Sequence, residues 1–385
     1  MSRLFVLPLE PLEERYTGQW YDWLPETFVR GFETVQVIDG VALTDEIKVG
    51  AFLDLNSTAH YKAKQLQLVA NLFAMGLVKS GDAFWVSDIE FWGIESIRYL
   101  SRLQGIRVKL FGFLHAASYT TEDFMAPMAD IGQFLEPAWI ASFDRVYVGS
   151  EYHRNKLFHA RLQPLGRAHE LIDRVVATGN PWRSAVALSL AKAREFVNRD
   201  IDLCFPHRPD REKRLGVFLH AARELQDRLK RELSIALTTG RSSYRSTNDP
   251  EAVEEAERLS RVSGLKIHTD LSRGAFYEVL GRSKVVVSTA IEENFGYAMV
   301  EGMTMGALPL MPDRYSYPEL VQTDRRFLYD AALPGPDALV GAMENQLTLS
   351  ETAFADWSLL ARRYAKVWDG SETRILDDMR AEMMR

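Results

Sequence analysis

Residues 292–301 read EENFGYAMVE, and with their flanks they decide the fold class. Upstream lies KVVVSTAI (284–291), a run of β-formers, and downstream the small-residue stretch GMTMGA (302–307). β-Branched residues fit a pleated strand, Asn-Phe-Gly suits a tight turn, and the following segment suits a helix. Glu293 then stands on the turn at the carboxyl end of a strand. Glu301 falls about a turn or two into the helix. In open parallel sheets, ligands sit at the carboxyl ends of strands and at helix N-termini. A carboxylate placed there accepts hydrogen bonds from hydroxyls, and two of them suit a polyol such as a sugar or ribose.

The same grammar repeats along the chain. In the first half, strands are expected over 3–9, 34–39, 50–56, 82–88, 107–115, 145–150 and 174–180, with helices over 57–79, 90–104 and 151–161. In the second half, strands are expected over 201–207, 233–240, 265–270, 284–291, 307–312 and 326–330. Helices are expected there over 211–231, 250–262, 273–282, 296–306, 316–322 and 335–348. The strands are nearly continuous apolar runs, as when helices cover both faces of a parallel sheet. Two such arrays predict two doubly wound α/β domains, joined near Gly179-Asn180-Pro181. Domain boundaries are expected at 1–180 and 181–367. A C-terminal helix, about 368–385, is expected to pack back on the first domain.

The chain has 385 residues, 46% hydrophobic and 11% aromatic, which fits packed cores. A net charge of −7 gives no general pull toward nucleic acid or anionic membrane. The single cysteine, Cys204, excludes an intrachain disulfide and fits a reducing compartment. No Cys/His cluster has zinc spacing. The apolar runs near the N-terminus and at 68–78 are too short for a membrane span. A soluble, cytoplasmic protein is expected.

Three segments carry a resemblance. The first is GRSKVVVSTAIEENFGYAMVEGMTMGALPLMPDRYSYPELV (281–321), the second PHRPDREK (206–213), and the third LHAAS (114–118). Together they resemble the GT-B glycosyltransferases, and within them the retaining, glycogen-synthase-like group with Glu-x7-Glu. The PHR-x4-K form is also similar to transferases that glycosylate queuosine in tRNA, and a phage-type DNA-base glycosyltransferase is a related reading. The resemblance implies two facing Rossmann-like domains with a cleft between them. It implies that the N-terminal domain takes the acceptor and the C-terminal domain the nucleotide-sugar donor, such as a UDP- or GDP-sugar, with no metal required. The region 9–23, with one Gly18, departs from the Gly-rich loop common in the family, and Arg214 stands where Gly is common.

The site residues follow from that resemblance and from charge. Arg208 and Lys213 would hold the donor diphosphate, where negative charge grows as it leaves. Arg214 would share that role. Glu301 would meet the ribose, and Glu293 the hydroxyls of the transferred sugar. Backbone N–H groups of Asn294, Phe295 and Gly296 at a helix N-terminus would hold sugar or phosphate. His115 ends a strand and would touch the donor sugar or position the acceptor. In isolation, RPDREKR would also make a solvated helix start, the Glu residues caps, and His115 a core histidine.

Acceptor contacts are assigned to Asp88, Arg15, Tyr16 and Gln19. The loop Arg15-Tyr16-Thr17-Gly18-Gln19-Trp20 mixes a cation with rings that stack on a base or sugar. Basic residues also gather at Arg154, Lys156, Arg161 and Arg167. The expected function is retaining transfer of a sugar to a hydroxyl, with a modified base in DNA or tRNA as the favoured acceptor. Alternatives are a saccharide or small-molecule acceptor, a nucleotide-sugar epimerase on the same fold, and a non-catalytic sugar-nucleotide-binding protein.

Overall fold

The structure, a computed structural model, describes residues 3–11, 16–43, 55–122, 125–166, 168–332 and 336–385. The chain divides into two compact units: unit 1 is Met1–Pro181 with Gly370–Arg385, and unit 2 is Trp182–Asp369. Among the described residues, no helix is long and apolar enough to cross a membrane.

Unit 1 has strands β1 (Arg3–Leu7), β2 (Thr34–Val37), β3 (Ala83–Val86), β4 (Lys109–Phe113), β5 (Arg145–Val148) and β6 (Val175–Ala177). They pair in parallel in the order β2-β1-β3-β4-β5-β6. Its helices are α1 (Tyr16–Phe28), α2 (Leu55–Ala74), α3 (Ser96–Leu103), α4 (Ala129–Ser142), α5 (Glu151–Leu157) and α6 (Ala168–Ile172), with the chain's last helix, α15 (Ser371–Met383). Strand residues alternate between two apolar layers, as the pleat requires. Phe5, Phe84, Val86, Leu110 and Val146 join Val69 and Phe73 of α2 and Trp139 of α4. On the other face, Trp85 and Phe113 meet Phe28 and Trp20 of α1. There the Tyr147 hydroxyl donates to Asp378 of α15 at 2.9 Å.

Two expectations need correction in this unit. The segment Tyr16–Trp20 is not a loop but opens α1, because Trp20, Trp23, Leu24, Thr27 and Phe28 recur at helical spacing and are buried. Residues 55 and 56 open α2 and so do not end a strand over 50–56; residues 50–54 lie outside the described residues.

Unit 2 has helices α7 (Ser184–Leu190), α8 (Leu215–Leu229), α9 (Pro250–Ser260), α10 (Arg273–Arg282), α11 (Tyr297–Thr304), α12 (Tyr317–Leu320), α13 (Asp337–Leu347) and α14 (Glu351–Val367). Its strands are β7 (Ile201–Phe205), β8 (Ile235–Thr238), β9 (Leu265–His268), β10 (Ser283–Val287), β11 (Leu308–Pro312) and β12 (Leu328–Tyr329). They are parallel in the order β12-β11-β10-β7-β8-β9. Cys204, Ala236, Val286 and Leu308 face the layer that holds Met299 and Val300 of α11. Leu203, Phe205, Leu237, Val285 and Val287 face Phe218 and Leu219 of α8 and Val340 of α13. Each fully buried Val, Leu or Phe contributes about 1.5–3 kcal/mol relative to exposure. Gly302 lets α11 lie directly on β10, since a Cβ there would come 2.6 Å from Val286 Cγ2.

Candidate functional site

In unit 2 the strand order reverses direction between β7 and β10. From β7 the chain winds one way through α8 to β8; from β10 it winds the other way through α11 to β11. The loops that follow these two neighbouring strands therefore part above the sheet's carboxyl edge, the position where ligands enter doubly wound folds. The β7–α8 loop carries Arg208, Lys213 and Arg214, and the β10–α11 loop carries Glu293 to Gly296.

Hydrogen bonds tie the two loops together. The Thr289 hydroxyl lies 2.7 Å from the Lys213 carbonyl and 3.0 Å from that of Arg214. Ile291 N–H donates to the Glu212 carbonyl at 2.8 Å. The Ser316 hydroxyl holds the Glu293 carbonyl at 3.1 Å. Lys213 Nζ thus comes to 3.2 Å from Glu293 Oε2. Burial pulls the Lys213 ammonium down, but Glu293 and Glu212 outweigh it and hold its pKa above the ordinary value. Arg208 pairs with Asp210 at 2.8 Å and with Glu212 at 3.5 Å. Burial raises the Glu212 carboxyl, against the pull of Lys213 and Arg208. Both cations are thus paired with carboxylates of their own unit.

Arg214 is exposed and left-handed, at φ 54°, immediately before α8. Gly296 holds the equivalent place before α11 at φ 97°. A Cβ on Gly296 would lie 3.0 Å from Leu320 Cδ1 and 3.1 Å from Tyr317 Cε1. Conformation and space both demand glycine there. Asn294 and Phe295 lead into this turn, Phe295 buried and Asn294 half-buried.

Glu301 lies in α11, 3% exposed. Arg273 Nη2 reaches its Oε1 at 2.8 Å, and the Tyr277 hydroxyl reaches the same oxygen at 3.3 Å. Burial raises the Glu301 carboxyl, and Arg273 opposes that rise. Sequence reasoning missed Arg273. Its one local signal is a cation at the first position of a helix, where the macrodipole disfavours positive charge.

The residues singled out in unit 1 separate into groups. His115 follows β4, with Nε2 2.8 Å from the Ser87 carbonyl and Nδ1 3.0 Å from the Tyr16 hydroxyl. The ring packs against Trp20 at 4.8 Å. The structure thus joins His115 to Tyr16, with Gln19 next along α1 and half-buried. Asp88 follows β3, accepts from Glu90 N–H at 3.1 Å and pairs with Lys62 of α2 at 2.9 Å. Lys62 was not legible from sequence as its partner, lying 26 residues away. Arg15 and Arg167 lie outside the described residues. Arg154 and Arg161 are engaged within the fold, Arg154 with the Val175 carbonyl and Arg161 with Glu136. Lys156 sits over the rings of Tyr119 and Tyr152.

Residues 189–354, wholly within unit 2, match the family described as glycosyl transferases group 1. A tRNA-queuosine alpha-mannosyltransferase of Drosophila melanogaster is 27% identical over 143 residues, 37% of this chain, and the chain spans 36% of that relative's length. A UDP-forming trehalose-phosphate synthase from Burkholderia xenovorans is structurally similar, with a TM-score of 0.69 at 13% identity, covering 100% of this chain and 99% of that one. A sucrose-phosphate synthase from Thermosynechococcus elongatus has a TM-score of 0.68 at 12% identity, covering 98% and 97%. The pneumococcal O-GlcNAc transferase GtfA, solved with UDP and GlcNAc, has a TM-score of 0.56 at 13% identity, covering 84% and 60%. These likenesses establish the fold as α/β of the GT-B type, with two Rossmann-like units.

Proposed function

From a chain that carries a glycosyltransferase group 1 domain on a GT-B fold, we propose a retaining transferase that moves a sugar from a nucleoside diphosphate to an acceptor hydroxyl. The observation that carries this reading is the meeting of Lys213 with Glu293 across the β7/β10 switch point, with Arg208 on the same loop as Lys213. Fixed cations there stabilise charge that develops on the departing diphosphate, which is where binding lowers the barrier. The anomeric C–O bond to phosphate breaks and the bond to the acceptor oxygen forms on the same face. The acceptor's proton passes to the leaving phosphate oxygen. Glu293 would then exchange its bond with Lys213 for sugar hydroxyls. In this reading the two side-chain cations supply the charge stabilisation, so no metal ion is required.

The favoured acceptor is a modified base, hydroxylated or hydroxymethylated, in tRNA or DNA. Support comes from the local likeness to a tRNA-queuosine transferase. It also comes from the half-buried Tyr16 and His115 near the carboxyl ends of β3 and β4, a ring and an imidazole held together over the buried Trp20. A phage DNA-modifying role is one form of this reading.

Two measurements test it. A thermal-shift panel of nucleoside diphosphates and their sugars should raise the melting point, by about 2.7 kcal/mol of stability at a hundredfold excess over Kd. No shift with any of them sinks the donor assignment. Mass spectrometry of tRNA and DNA nucleosides from cells expressing the chain should reveal a hexosylated or pentosylated base. An unchanged profile moves the acceptor to saccharides or small molecules. Lys213→Ala should lower transfer by about 10²–10³, the typical loss on removing one preorganised donor at a developing anion. Activity within threefold of wild type would refute its placement.

A further inference from the structure

Arg273 sits where helix formation gives no reason for it. It is the first residue of α10, with the Ser272 hydroxyl capping the Ala275 N–H at 3.3 Å, so its cation faces the positive end of the helix dipole. Its guanidinium lies over the Tyr277 ring, 5.4 Å from the centroid, and pairs with Glu301 at 2.8 Å. Glu301 is almost wholly buried in α11. A buried ion pair is seldom a net gain in stability over apolar residues of similar volume. The pair's geometry is also one-sided. Both the Arg273 and the Tyr277 donors take Oε1, and neither takes Oε2.

We infer that Arg273 is a positioning residue for ribose recognition: by occupying Oε1 and fixing the orientation of the Glu301 carboxylate, it presents Oε2 to a ribose hydroxyl and so selects ribonucleoside over deoxyribonucleoside diphosphates. This rests on the donor-site reading above. Tyr277, one turn further along α10, fixes the same oxygen from the side and leaves the carboxylate one orientation. A hydroxyl that meets an ionised, immobilised oxygen forms a charge-assisted bond. A neutral or rotating carboxyl offers a weaker one.

The test is a ratio of affinities for the full-length chain. Uridine and guanosine diphosphates are compared with their 2′,3′-dideoxy forms by calorimetry. Wild type should prefer the preferred base's ribose form by about 10- to 100-fold, the value of one hydrogen bond to a charged group. In Arg273→Met the ratio should fall to about threefold or less. Arg273→Lys, which keeps the charge, should recover part of it. Glu301→Gln should also flatten the ratio, and adding Arg273→Met to it should change the ratio no further. Melting curves identify any variant that fails to fold, and Arg273→Lys then carries the comparison through an intermediate ratio. If Arg273→Met weakens ribose and dideoxy ligands equally, or Arg273→Lys behaves as wild type while Arg273→Met keeps the full ratio, the inference is overturned. If wild type binds no diphosphate at all, the donor-site reading falls and takes the inference with it.

Discussion

Arg214 holds a left-handed backbone at φ 54° where only glycine is at ease. Arg214→Gly should therefore stabilise unit 2 by about 1 kcal/mol, read as a rise in denaturation midpoint. A fall instead would mean that the side chain contributes more than its backbone costs. The opposite change, Gly296→Ala, meets strain and crowding together and should cost about 1–3 kcal/mol. His153 offers a pH signature. It is buried beneath Tyr119, whose hydroxyl lies 2.8 Å from Nε2, and burial pulls its pKa down to about 3, with Lys156 and His115 adding to the effect. An unfolded imidazole titrates near 6.5. The stability it contributes is complete above that value and is lost as pH falls toward the folded pKa. Between pH 8 and 5, wild type should lose about 2 kcal/mol more than His153→Asn in urea unfolding. Equal losses would show that the imidazole charges without penalty. At this scale sequence spoke unevenly. The places of Glu293 and Gly296 on the turn before α11 were legible because they follow from a few adjacent residues. Arg273 was not, because its partner Glu301 lies 28 positions away and no short-range pattern links them.

At the scale of elements, strand and helix alternation survives translation into structure because each strand is apolar on both faces. β7 and β10 are examples, with alternate residues entering separate cores. α1 escaped notice because Gly18 and Pro25 break its pattern, although Trp20, Trp23, Leu24 and Phe28 keep the helical period. α15 is the element most exposed to test. Ile375, Leu376 and Met379 are buried, Arg145 and Lys109 hold Glu382 at 3.0 and 2.8 Å, and Arg374 donates to the Thr178 carbonyl at 2.9 Å. Burial alone would raise the Glu382 carboxyl, but Lys109 and Arg145 lower it below its ordinary value. Removing residues 371–385 uncovers the Tyr147 face of the sheet. The truncated chain should lose unit 1's protection in hydrogen exchange while unit 2 keeps its own. Unchanged protection in β4 and β5 would show that α15 is dispensable.

The whole molecule is two separately cored bodies, one built around the layers of β1–β6 and the other around β7–β12. Calorimetry should resolve two unfolding transitions, and a saturating nucleoside diphosphate should move the one assigned by hydrogen exchange to unit 2. A shift confined to the other transition would place the nucleotide elsewhere. The division also bears on how the chain is made. Unit 1 begins at the first residues and is completed by α15, so unit 2 is synthesised inside it. A ribosome adding about 5–20 residues per second takes roughly 10–40 s to pass the roughly 190 residues in between. Through that interval the Trp85 and Tyr147 face of the nascent sheet waits without its last helix. The second body can fold and dock its own helices first. Unit 1 is thus the first body to appear and the last to have all of its helices available.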